Sequence, residues 1–143
     1  MVLTKSSFDV LRDKLFGGSL SQVQVESLNY LVQRCEEFAL TYPETAYVLA
    51  TAYHETGYAE VVNGRKVINR DILPIKERGS EGYLRSKKYY PYIGYGYVQL
   101  TWEDNFRRVG KLIGVDLLKN PEKALEKDIA SAILIKGMVF GWF

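Results

Sequence analysis

The sequence predicts a mainly α single domain carrying one small β-hairpin. Three observations predict it. Apolar residues recur at spacings of three and four in the first and last thirds of the chain, as amphipathic helices require. An Asn-Gly pair, Asn63-Gly64, sits between two apolar pairs, which is a short-hairpin signal. The 143 residues show no internal repeat and no linker, and they suffice for one hydrophobic core rather than two ordinary domains.

The elements follow in order. Phe8, Leu11 and Leu15 mark a short first helix that Gly17-Gly18 stops. Ser21 is placed as an N-cap with Gln24 at the reciprocal capping-box position, opening a second helix. Its buried stripe is Leu28, Leu31, Cys35 and Phe38, with Cys35 as a small core hydrophobe. Pro43 suits the first turn of a third helix that runs to about residue 56, and Gly57 can end it in a left-handed cap. Ala46, Leu49, Ala50 and Tyr53 share one face of that helix, taken as buried. The hairpin occupies 60–68. From 71 to 96 the chain is irregular, with a helical turn near 83–86. Thr101 can cap a helix over about 102–113, with Asp104 in the reciprocal position and Gly114 as its stop. Asn120-Pro121-Glu122 reads as another helix start. A last helix covers about 128–140, with Ile129, Ile133, Gly137 and Phe140 along one face.

Composition excludes several classes. With 47% apolar and 25% charged residues the chain is globular, neither disordered nor fibrous. No apolar run approaches the roughly 20 residues of a membrane span, so no stable membrane insertion is expected. The first residues lack the apolar core of a Sec-type signal peptide. A net charge of +2 does not by itself argue for nucleic acid. One cysteine excludes an intrachain disulfide and a thiolate zinc cluster, and one histidine argues against a histidine-rich metal site. Tyrosine is the outlier, with eleven in the chain and six of them from Tyr83 to Tyr97.

Three segments can carry chemistry. The first is His54-Glu55-Thr56-Gly57. A carboxyl group in the last helical turn faces the negative end of the helix dipole, and partial burial would add to that, keeping the acid protonated for general-acid work. The tetrapeptide alone equally describes an exposed glutamate beside a solvated histidine. The second is Lys76-Glu77-Arg78, where flanking cations favour an ionised base; it also reads as a plain charged loop. Two carboxylates across a cleft suit glycoside hydrolysis. The third is 89–102, rich in tyrosine. Aromatic faces suit the C–H faces of sugar rings, and Gly94 and Gly96 permit close backbone approach. A packed tyrosine cluster, or a single-stranded nucleic-acid surface helped by Arg85, Lys87 and Lys88, fits the same composition. Thr101 as a helix cap and Asn105 as a surface polar residue are the plain alternatives to ligand roles.

His54-Glu55-Thr56-Gly57, Ile75-Lys76-Glu77-Arg78-Gly79, Gly94-Tyr95-Gly96-Tyr97-Val98-Gln99-Leu100-Thr101-Trp102 and the run from Gly110 to Pro121, in this order, resemble family 19 glycoside hydrolases. That family holds plant-type chitinases and phage lysis enzymes, and residues 21–55 look especially like phage members. The resemblance implies a lysozyme-like, α-rich catalytic domain over 1–143, shortened at its C-terminal side because the family normally continues past Trp142-Phe143. It implies Glu55 as general acid and Glu77 as the base that activates water. Gln99, Thr101 and Asn105 match positions that hold sugar and water, and His54 and Tyr92 match cleft-lining residues; Trp102 is counted with this substrate-binding set. The resemblance further implies an inverting mechanism, with carboxyl groups about 6.5–9.5 Å apart and with no metal and no cofactor. The implied partner is peptidoglycan or a chitin-type polysaccharide, with no nucleic acid, acted on by a monomer. Such an enzyme is made in a host cytoplasm and acts on the cell wall after release. Two departures stand out. Tyr95 occupies the place of the family's usual arginine, and residues 58–73 form a longer segment than compact phage members have.

Overall fold

A computed structural model of the chain describes residues 2–143. Among them are six α-helices and two small two-stranded sheets, so the fold is mainly α with a small hairpin. The chain divides between Ile72 and Leu73 into two compact units. No helix among the described residues is long and apolar enough to cross a membrane.

The first unit holds α1 (Lys5–Leu15), α2 (Gln22–Glu37), α3 (Tyr42–Glu55), β1 (Tyr58–Val62) and β2 (Arg65–Asn69). The expected capping box is present: Ser21 Oγ accepts from the Gln24 N–H at 3.1 Å, and Gln24 Oε1 accepts from the Ser21 N–H at 2.9 Å. Each bond satisfies a donor that the helix start would otherwise leave open. Leu28, Leu31 and Cys35 are buried as expected, joined by Val32. Phe38 is only half-buried, because α2 has already ended there; its ring lies under the Arg34 guanidinium. Burial pushes the Cys35 thiol up to about 11, and a hydrogen bond with Thr45 offsets this only in part.

Helix α3 corrects two expectations. Its buried residues are Thr45, Val48 and Ala52. The face of Ala46, Leu49, Ala50 and Tyr53 instead lines an open apolar recess of about 160 Å³ with Leu11, Leu15 and Phe16. The buried stripe lies one residue out of phase with the predicted one, because small and apolar residues occur all round this helix. The helix also ends without a left-handed glycine. Thr56 closes it at φ −97°, and Arg70 Nη1 donates to the Tyr53 carbonyl at 2.8 Å. A Cβ on Gly57 would lie 2.6 Å from that same guanidinium nitrogen, so Gly57 makes room for the arginine.

The hairpin forms as its sequence predicts. Asn63 and Gly64 both have positive φ, 52° and 77°, the signature of the primed turn that matches strand twist. Val62 pairs with Arg65 and Tyr58 with Asn69, so five residue pairs zip up from a two-residue turn.

The second unit holds β3 (Ile75–Lys76), α4 (Glu81–Arg85), β4 (Tyr95–Gly96), α5 (Glu103–Ile113), a 3-10 turn (Pro121–Leu125) and α6 (Lys127–Phe140). Its core joins Leu84, Ile93, Tyr95, Leu100, Phe106 and Val109 to Leu117, Ala124 and Ile133. The start at Asn120-Pro121 yields only the 3-10 turn, because extended Glu126 interrupts the helix before α6 begins. Gly114 and Gly141 close α5 and α6 in the left-handed conformation.

The sheet of β3 and β4 did not appear in the sequence. Ile75 pairs with Gly96 and Lys76 with Tyr95. Tyr95 also exchanges both backbone hydrogen bonds with Leu100, at 3.0 and 2.9 Å. The segment 93–100 is thereby fastened on two sides, which positions the residues described next.

Candidate functional site

The predicted site residues fall in both units. His54 and Glu55 lie exposed at the end of α3 in the first unit. Glu55 therefore lacks the partial burial that would have added to the helix dipole in keeping the acid protonated. Thr56 of the same motif is buried, and its hydroxyl donates to the Ala52 carbonyl at 2.6 Å.

Glu77, Tyr92, Gln99, Thr101, Trp102 and Asn105 belong to the second unit, where a connected arrangement surrounds Glu77. Directly after β3, the Glu77 N–H donates to the Gly94 carbonyl at 2.6 Å. The Gly94 N–H returns a bond to Glu77 Oε2 at 3.0 Å. On the other oxygen, the Tyr89 hydroxyl donates to Oε1 at 2.6 Å. Both carboxylate oxygens are thus held, one by backbone and one by a phenol. Each keeps a further lone pair able to accept from water. The bond to Glu77, with burial adding to it, pushes the Tyr89 hydroxyl up to about 12. It therefore remains a donor throughout the neutral range.

Gln99 takes a different part from the expected one. Its amide nitrogen donates to the Ile75 carbonyl at 2.9 Å and to the Gly96 carbonyl at 3.3 Å. Both amide hydrogens are spent on backbone, bracing β3 against β4. Its Oε1 passes so close to Gly94 that a Cβ there would lie 2.5 Å away, so a side chain at this position would push the Gln99 amide off its two carbonyls. Gln99 thereby supports the same Gly94 that grips Glu77.

Thr101 is not the cap of α5. Its hydroxyl turns back to the Gln99 carbonyl at 2.8 Å, and Trp102 occupies the cap position with no side-chain bond. Asp104 pairs with Arg107 rather than closing a capping box. Asn105 Nδ2 donates to the Thr101 carbonyl at 2.8 Å. Thr101 and Asn105 therefore shape the turn, each with at least one polar group committed to backbone. Gln99 at φ 54° and Trp102 at φ 77° are non-glycine residues in the left-handed region. Such conformations cost about 1–3 kcal/mol each and persist where surroundings overdetermine them. Here the Trp102 N–H is fixed to the Tyr92 carbonyl at 2.9 Å, and the Trp102 carbonyl accepts from the N–H groups of Asn105 and Phe106 at 3.1 Å.

The aromatic residues form a surface beside this frame. Tyr89, Tyr90, Tyr92 and Trp102, with Pro91, Lys88, Glu103 and Asp104, line an open recess of about 390 Å³. Trp102 is half exposed, and Tyr89 meets it edge-on with centroids 5.2 Å apart. Tyr92 is anchored by its hydroxyl, which donates to the Leu118 carbonyl at 3.1 Å. A second recess of about 340 Å³ lies across Tyr90 and Pro91 and includes Lys76, Glu81 and Tyr95. Tyr95 itself is buried, edge-on against Phe106, and burial raises its phenol above the ordinary range. Tyr95 is thus a core residue.

Sequence reasoning missed Tyr89 and Gly94 as partners of Glu77. The tyrosine run marked the region, but twelve residues separate Tyr89 from Glu77 and no spacing rule singles it out. Among the described residues no three His, Cys, Asp or Glu side chains cluster as a metal site would need. No protein-family model, curated protein or solved structure matches this chain.

Proposed function

We propose that this chain is an inverting glycoside hydrolase acting on β-1,4 bonds of an N-acetylglucosamine-containing polymer, with peptidoglycan favoured over chitin. The observation that carries the reading is the two-point hold on Glu77 by the Gly94 N–H and by the hydroxyl of Tyr89, a residue that also lines the aromatic recess. A general base must present a lone pair in a fixed direction, and a carboxylate held at both oxygens does so without losing its capacity to accept a water proton. The flat aromatic walls offer apolar faces for a sugar ring, while Lys88, Glu103 and Asp104 offer polar contacts for its hydroxyl and acetamido groups.

In this mechanism Glu77 takes a proton from water as the oxygen attacks the anomeric carbon. Glu55 gives a proton to the departing glycosidic oxygen. Attack opposite the leaving group inverts the carbon, so a β-linked substrate releases an α-anomer. The sequence motifs shared with phage lysis enzymes favour a cell-wall target reached after release from a host cytoplasm.

The test is digestion of purified peptidoglycan beside N-acetylglucosamine oligomers, followed by NMR of the first product anomer and mass spectrometry of the new reducing end. Glu55→Gln and Glu77→Gln should each lower the rate by about 10²–10⁴-fold. If wild type and both variants bind glycan equally and none cleaves it, the protein is a glycan-binding module on this scaffold. That second reading is favoured by the buried, uncharged Tyr95 at the arginine position.

A further inference from the structure

Tyr89 faces two ways. Its hydroxyl holds one oxygen of Glu77, and its ring forms part of the recess wall with Trp102 packed edge-on against it. We propose that Tyr89 is a positioning residue that couples occupation of the Tyr89–Tyr92–Trp102 recess by a sugar ring to the setting of the Glu77 carboxylate. The proposal rests on the glycosidase reading for its reaction, and on the geometry alone for its coupling.

The argument begins with what fixes the carboxylate. The Gly94 N–H holds Oε2, and Gly94 is itself bonded to the Glu77 backbone. One oxygen is therefore anchored to rigid main chain. With that anchor alone the carboxylate can still swing about Oε2, because a single hydrogen bond tolerates a wide range of angles. The second contact removes this freedom, and it comes from a side chain rather than from backbone. Its quality depends on where the Tyr89 ring sits.

The ring packs against the core cluster of the second unit on one side and meets Trp102 at 65°. Trp102 is half exposed and stands at the helix entry in a left-handed backbone conformation. A further determinant is whatever fills the recess. A sugar seated there presses on both rings at once, and the hydroxyl at the far end of Tyr89 moves with its ring. An empty recess leaves Tyr89 packed on one side only. Substrate binding thus completes the alignment of the base, which limits proton abstraction to the occupied state. The hydroxyl suits this task because it stays protonated well beyond neutral pH.

Tyr89→Phe keeps the ring and removes the hydroxyl. It should leave KM, and the affinity for the N-acetylglucosamine tetramer, within about twofold, and lower kcat by about ten- to a hundredfold, a fraction of what a general base supplies. Trp102→Ala should weaken the tetramer and lower kcat together. An independent readout is the Tyr89 hydroxyl proton, observed by NMR through its ring carbon. It should be slow to exchange in the wild type, slower still with the tetramer bound, and fast in Glu77→Ala. Near-ultraviolet circular dichroism checks that each variant keeps its fold. An unchanged kcat in Tyr89→Phe overturns the proposal. So does a Tyr89 hydroxyl that ignores either Glu77→Ala or the tetramer. If the hydroxyl behaves as stated while the wild type cleaves no polymer, the glycosidase reading fails and the coupling stands.

Discussion

The two small sheets of this protein are built on opposite principles. Strands β1 and β2 adjoin in sequence, meet through a two-residue turn, and leave Val61 and Ile68 more than half exposed. Strands β3 and β4 are two residues each, lie some twenty residues apart, and end on the buried Tyr95–Gly96 pair. The first sheet is specified by its own turn. The second exists because its surroundings hold it: Gln99 ties the Ile75 and Gly96 carbonyls together, and Leu100 pairs back onto Tyr95. The local sheet is an independent element, whereas the non-local one is the frame of the candidate site.

The sharpest way to break this contrast is at the glycines. Gly96 has φ +92°, and a Cβ there would meet the Ala124 carbonyl at 2.9 Å. Gly96→Ala should therefore combine backbone strain with a clash against main chain, costing about 2–4 kcal/mol. Chemical denaturation measures the loss, and hydrogen exchange should show it spreading from β4 into the Glu77 cradle.

Gln99→Ala comes next. It removes both amide bonds across the second sheet and leaves two carbonyls short of a donor, for about 1–3 kcal/mol. Its informative effect is on geometry: the Gly94 N–H and the Glu77 side chain should show altered NMR shifts while the first unit is unchanged.

Gly64→Ala should be the mildest. The turn needs φ 77°, yet a Cβ would meet nothing within 4 Å. Only the conformational cost remains, about 1–2 kcal/mol, and exchange protection should fall in β1 and β2 alone. A loss that reached α2 would show that the hairpin is not the independent element its turn suggests.

The same contrast explains what was legible in the sequence. Signals carried within a few residues were readable: the Ser21–Gln24 box, the Asn63-Gly64 turn and the Gly114 stop. Signals that depend on how the chain turns back on itself were not. Thr101 has the composition of a cap, but its hydroxyl finds the Gln99 carbonyl first. Gln99 has the composition of a ligand-binding amide, but the Ile75 and Gly96 carbonyls claim it. Glu77 was singled out by its motif, whereas Tyr89 and Gly94, which hold it, depend on the way 73–100 folds back on itself. The buried face of α3 is hidden from the sequence for another reason: when apolar and small residues surround a helix, periodicity no longer selects a side.

The buried Cys35 has a practical consequence. Burial raises its thiol well above the ordinary range, so the reactive thiolate is disfavoured at neutral pH, and the sulfur is shielded as well. Alkylating reagents will pass it by in the native protein. A cysteine introduced at the exposed hairpin turn or at the rim of the aromatic recess would then accept a fluorophore or spin label alone. Distances and motions around the recess become measurable without first removing the native residue.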